Sequence, residues 1–157
     1  MPPPPDPVGS SAITDIRASF VTLRVRATGA LRGCIGESKP RWPLVESIGR
    51  ASVSAATADP RFLPVTPGEV SSLTVAISAL WPLLPIAASG VEVGRHGVLI
   101  AGERGSALLL PHVATTFGWD REEFLARLCE KAGLTRDAWT TSDIGLLGFE
   151  ADTWEEE

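Results

Sequence analysis

Residues 20–26 alternate in character, with Val21, Leu23 and Val25 on one face and Thr22, Arg24 and Arg26 on the other. Period-two alternation marks a half-buried strand. Thr28-Gly29 signals a turn, and residues 30–35 read as the strand that returns beside the first. A hairpin brings antiparallel pairing into the fold from its start. The period then changes. Leu44, Ile48, Ala51 and Ala55 recur every three or four residues, which predicts an amphipathic helix over 44–58 behind Pro43. Asp59-Pro60 ends it, and residues 73–80 alternate as a second strand region, stopped by Trp81-Pro82.

The remainder reads in the same mixed way. Residues 91–93 and 98–101 flank Gly94-Arg95-His96-Gly97 as a hairpin, residues 102–106 form another turn, and 107–110 a strand. A short helix over 112–117 follows Pro111. Asp120 with Glu123 makes a capping box for a helix that runs to Ala132 and closes at Gly133. A last strand covers 146–150. Strands joined by turns, with helices interspersed irregularly, predict an α+β fold: a mainly antiparallel sheet with flanking helices.

A chain of 157 residues has room for one domain with a real core. Its segments divide as a proline-rich, flexible lead over 1–18, the domain over 19–152 and an acidic tail over 153–157. The net charge of −5 excludes a general nucleic-acid binder, which needs a basic footprint. No apolar run reaches membrane-spanning length and no leader-like segment opens the chain, which predicts a cytoplasmic protein with no membrane role. Two cysteines far apart make no disulfide framework, and the five tryptophans read as packing elements.

The run 31–36, Leu-Arg-Gly-Cys-Ile-Gly, carries the candidate chemistry. It sets Cys34 between glycines, with the cation Arg32 nearby. Glycines permit close approach, and a neighbouring cation favours thiolate. An accessible nucleophile fits this pattern, and so does a small apolar residue packed at a tight turn. Cys129, beside Leu125 and Leu128 on the predicted helix, reads as a core thiol.

From Leu31 to Gly36 the chain resembles the hallmark motif of the AMMECR domain family, which includes system protein A of the AmmeMemoRadiSam group. The match continues in order through Asp59-Pro60-Arg61-Phe62, Pro64-Val65-Thr66-Pro67, Val93-Gly94-Arg95-His96-Gly97, Leu109-Leu110-Pro111-His112-Val113-Ala114, Gly118-Trp119-Asp120, Lys131-Ala132-Gly133-Leu134 and Ala138-Trp139. The resemblance covers about residues 19–151 and implies a larger and a smaller lobe, with a cleft near the hallmark motif. Relatives have a helical segment before the first strand; here residues 12–19 offer at most two turns.

Two functions stand side by side. In the first, Cys34 is a nucleophile or covalent carrier for a small-molecule or modified-protein substrate. His96 is then the catalytic proton shuttle, and Arg32, Gly33, Gly36, Arg61 and Arg95 line the substrate site. In the second, the domain is a ligand-binding or adaptor module without chemistry, and the glycine-rich motif is its rigid floor. On this reading His96 is a residue that fixes its turn, and each arginine ties down a loop. Memo-like and radical S-adenosylmethionine proteins are the partners the resemblance implies, and those partners would carry the metal and radical chemistry. No cofactor is expected here: Cys34, His96 and His112 lack short metal-ligand spacing, and two cysteines cannot supply the usual four thiolates of an iron–sulfur cluster. The loop 102–106 lacks the lysine of a phosphate loop and reads as a hairpin turn.

Overall fold

A computed structural model of the chain describes residues 13–157. The part of the proline-rich lead over 1–12 lies outside the described residues. The chain divides into two compact units, one reaching to Ala79 and taking back Asp152–Glu157, the other spanning Leu80–Ala151.

The first unit is built on β1 (Ser19–Val25), β2 (Leu31–Gly36), β3 (Leu73–Leu80) and β8 (Ala151–Glu155), with α1 (Leu44–Thr57). The sheet order is β2-β1-β3-β8, with β1 antiparallel to both neighbours. The predicted alternation sets the packing. Val21 and Leu23 face Ala51 and Ala55 of α1, and Leu73 completes this core. Burying Val21, Leu23 and Leu73 contributes about 1.5–3 kcal/mol each, which is why α1 lies on that face. Ahead of β1, Ile16 makes an isolated bridge to Pro43. Buried Arg17 donates to the Ala79 carbonyl at 2.9 Å and to Asp152 at 3.1 Å. The segment set aside as an acidic tail therefore begins inside the unit: β8 is a sheet strand through Glu155.

The second unit carries β4 (Leu84–Pro85), β5 (Gly97–Gly102), β6 (Gly105–Leu109), β7 (Gly145–Phe149), α2 (Pro111–Phe117) and α3 (Arg121–Lys131). Its sheet runs β4-β7-β5-β6, and every pairing in it is antiparallel. Val98, Ile100, Phe124, Leu125, Leu128 and Cys129 form its core, so Cys129 is the buried thiol its helix position predicts. Asp120 caps α3 by accepting from the Glu123 N–H at 2.8 Å. The Glu123 carboxylate turns instead to Arg127 and Arg136, so only half of the predicted capping box forms.

One predicted hairpin is corrected. Residues 91–93 are not a strand. The Glu92 carbonyl accepts from the Arg95 and His96 N–H groups, which closes a turn there. Both edges of β5 are already filled by β6 and β7, leaving no ladder for a further partner. The fold is α+β, with two antiparallel sheets and flanking helices.

Candidate functional site

Among the described residues β2 is an edge strand, paired with β1. Leu23 sits opposite Gly33, Thr22 opposite Cys34 and Val21 opposite Ile35. Alternation thus turns Gly33 toward α1 and Cys34 toward the other face, beside Thr22. The motif's glycines answer to close approach. A Cβ on Gly33 would lie 2.1 Å from the Ala55 carbonyl oxygen, and one on Gly36 would lie 2.3 Å from that of Ser19. The space that a side chain would need at each is filled by this chain's own backbone.

Cys34 is partly buried, with its sulfur 3.2 Å from the Thr22 hydroxyl. As an edge residue it has a backbone N–H to place, and it donates this to Asp59 Oδ2 at 2.9 Å. A covered edge amide removes one site of unwanted strand addition. Asp59 is itself gripped by Arg61. The backbone N–H and Nε donate to Oδ1 at 3.1 and 3.0 Å, and Nη2 donates to Oδ2 at 2.7 Å. The Arg61 guanidinium holds this carboxyl far below the usual carboxylate range. The N–H groups of Cys34 and Arg61 add to that, and burial opposes it. The Asp59 side chain is 2% exposed and that of Arg61 56%. Arg61 is in turn pushed up, first by Asp59, with a smaller contribution from charge on Cys34. Its Nη1 makes no hydrogen bond among the described residues, so one edge of a fixed cation faces outward.

Arg32 serves elsewhere. Leu23 pairs with Gly33 and Arg24 with Leu31, leaving Arg32 as the extra residue of a β-bulge. Its Nε donates to Glu69 at 3.0 Å and its Nη1 to the Leu63 carbonyl at 2.8 Å. Arg32 is the main cause that brings Glu69 down to about 2, followed by the backbone N–H of Thr66. The bulge therefore anchors the 63–69 connection to the sheet edge.

The other predicted site residues belong to the second unit. His96 Nδ1 accepts from the Glu92 N–H at 3.0 Å, which leaves the ring proton on Nε2. Arg95 binds Glu92 at 2.9 Å and Glu150 at 2.8 Å. Cys34 lies in the first unit and both histidines of the chain in the second, so neither unit by itself contains a cysteine–histidine pair at Cys34. Among the described residues no three His, Cys, Asp or Glu side chains gather as metal ligands would. His112 stands in the first turn of α2, and its carbonyl accepts from the Thr115 and Thr116 hydroxyls.

Asp59, which the sequence marks only as the end of the first helix and part of a motif, is a further residue of this site. An Asx turn into Arg61 is the local signal for it. Its bond to Cys34 spans twenty-five positions and has no signal in the sequence.

A sequence model of the AMMECR1 family matches residues 2–154. A Thermococcus gammatolerans protein is 47% identical over 147 residues, covering 88% of this chain and 72% of the relative. A Methanopyrus kandleri protein is 40% identical over 153 residues, covering 92% and 74%. The crystal structure of the uncharacterised protein PH0010 from Pyrococcus horikoshii superposes with a TM-score of 0.88 at 40% identity. It covers all of this chain and 81% of that one.

Proposed function

The chain belongs to the AMMECR1 family, and from that premise we propose that it is a binding module for an anionic group rather than a thiol enzyme. The observation that carries this is the line from the Cys34 N–H through buried Asp59 to half-exposed Arg61. It fixes a guanidinium at the edge of the glycine-rich motif without a flexible side chain to order on binding. A preorganised fork of this kind suits a carboxylate or phosphate, because little entropy remains to be lost. Gly33 and Gly36 supply the floor by letting α1 and β1 close against β2. Cys34 supplies an amide and a small side chain beside Thr22. Memo-like and radical S-adenosylmethionine proteins are the partners to which such a module would present its ligand.

Inorganic phosphate titrated into the isotopically labelled full chain tests this by amide chemical shifts. Saturable shifts should centre on residues 34 and 59–61. Arg61→Gln should weaken them at least tenfold, and Cys34→Ser should leave them unchanged. Shifts that do not saturate, or a Cys34→Ser variant that binds as poorly as Arg61→Gln, would overturn the reading.

A further inference from the structure

The second unit holds a pocket of about 430 Å³ that the hallmark motif does not touch. Trp81, Leu84, Pro85, Ile86 and Phe149 form its apolar wall, and His96 lines it as well. Two glycines shape it. A Cβ on Gly97 would lie 2.2 Å from the Phe149 ring, and one on Gly148 would lie 2.9 Å from Ile86. Without those Cβ atoms, an aromatic ring and a branched chain lie directly on strand backbone. The short edge strand β4 then carries the outer wall, with Leu84 opposite Gly148. Trp81 is 47% exposed and Leu84 65% exposed, an apolar surface left open to solvent at a concave site.

The polar part is equally defined. The Glu92 N–H occupies His96 Nδ1, so Nε2–H is the one ring donor left for a ligand. Arg95 joins Glu92 to Glu150 across the rim, which fixes the turn that carries the imidazole. The same bonds pair the carboxylate of Glu150 at the pocket edge with Arg95. An apolar cleft of this size with one oriented donor is the usual form of a small-molecule site.

We propose that this pocket binds a flat aromatic molecule bearing a carbonyl or ring-nitrogen acceptor, with the ring against the exposed Trp81 and Leu84 and the acceptor on His96 Nε2–H. His96 is thereby a binding residue of the second unit. The site does not depend on the anion reading above, so Arg61→Gln should leave it intact.

Benzamide is the simplest probe, titrated into the labelled full chain, with fluorobenzene as the ring without a carbonyl. Benzamide should give saturable shifts at residues 81, 96 and 148, and fluorobenzene should bind at least tenfold more weakly. His96→Leu should reduce benzamide to the level of fluorobenzene. Trp81→Ala, at a half-exposed position, should weaken both ligands by tenfold or more and serves as the second variant if His96→Leu does not fold. Equal binding of the two ligands overturns the role of His96. Benzamide shifts that do not saturate, or that survive both substitutions, overturn the site. Saturation by a proline-rich peptide but not by benzamide would also overturn the proposal, by assigning the wall to a protein partner.

Discussion

Asp59 accepts the Cys34 N–H and three donors of Arg61 while almost wholly buried. Its folded pKa lies below the unfolded value, so in acid the unfolded chain binds the extra proton and stability rises with pH. The contribution is complete above the unfolded carboxylate value of about 3.9. It drains away as the pH falls below that, and is lost once the folded pKa is passed. Asp59→Asn should therefore destabilise most near neutrality, by about 1–3 kcal/mol. The gap to the parent should narrow between pH 4 and pH 2, read as urea midpoints on a pH series. A constant gap across that range would mean that the carboxylate's charge does not contribute. The residue scale is also where the sequence is least legible. Leu31 to Gly36 stands out at once because cysteine flanked by glycine is a local pattern. The partners of Cys34, namely Thr22 and Asp59, come together only when a hairpin and a helix have both formed.

Each unit seats a helix end on a strand glycine. In the first, the Ala55 carbonyl near the end of α1 approaches Gly33 of β2. In the second, the Ala132 carbonyl that follows α3 approaches Gly105 of β6, where a Cβ would lie 2.0 Å away. The obstructing atom is backbone in both cases, so no side chain can rotate aside. Gly33→Ala and Gly105→Ala should each cost about 1–3 kcal/mol by overpacking. Gly49 lies in α1 with nothing within 4 Å of its would-be Cβ, and Gly49→Ala should stabilise by about 1 kcal/mol through helix propensity. Chemical denaturation of the three variants checks the opposite signs. Strand and helix periods made β1, β2, α1, β3 and α3 legible, because burial on one face enforces them. The failures share a cause. β8 reads Ala-Asp-Thr-Trp-Glu, with its exposed end showing no apolar alternation, and it is a strand because β3 offers an edge. Residues 91–93 look strand-like, yet β5 has no edge left to offer them.

At the scale of the molecule, the first unit is discontinuous in sequence: the chain leaves it after Ala79 and re-enters at Asp152. Arg17 shows what that return supplies. It is 7% exposed and bonded both to β3, through the Ala79 carbonyl, and to β8, through Asp152. A cation taken out of water needs such partners, since its desolvation is costly unless it is paired. Residues 17, 79 and 152 thus connect the segment ahead of β1, the strand that leaves the unit and the strand that returns. Asp152→Ala removes a charge-assisted bond worth about 1.5–3 kcal/mol, towards the lower end because Asp152 is itself partly exposed. Units with separate cores open separately. Native-state hydrogen exchange should therefore show protection lost at β1 and β3, with Val98, Ile100 and Leu125 of the other core unchanged. Equal loss at both sets of amides would show that the two cores unfold as one, and that the return of the chain through β8 stabilises the whole protein.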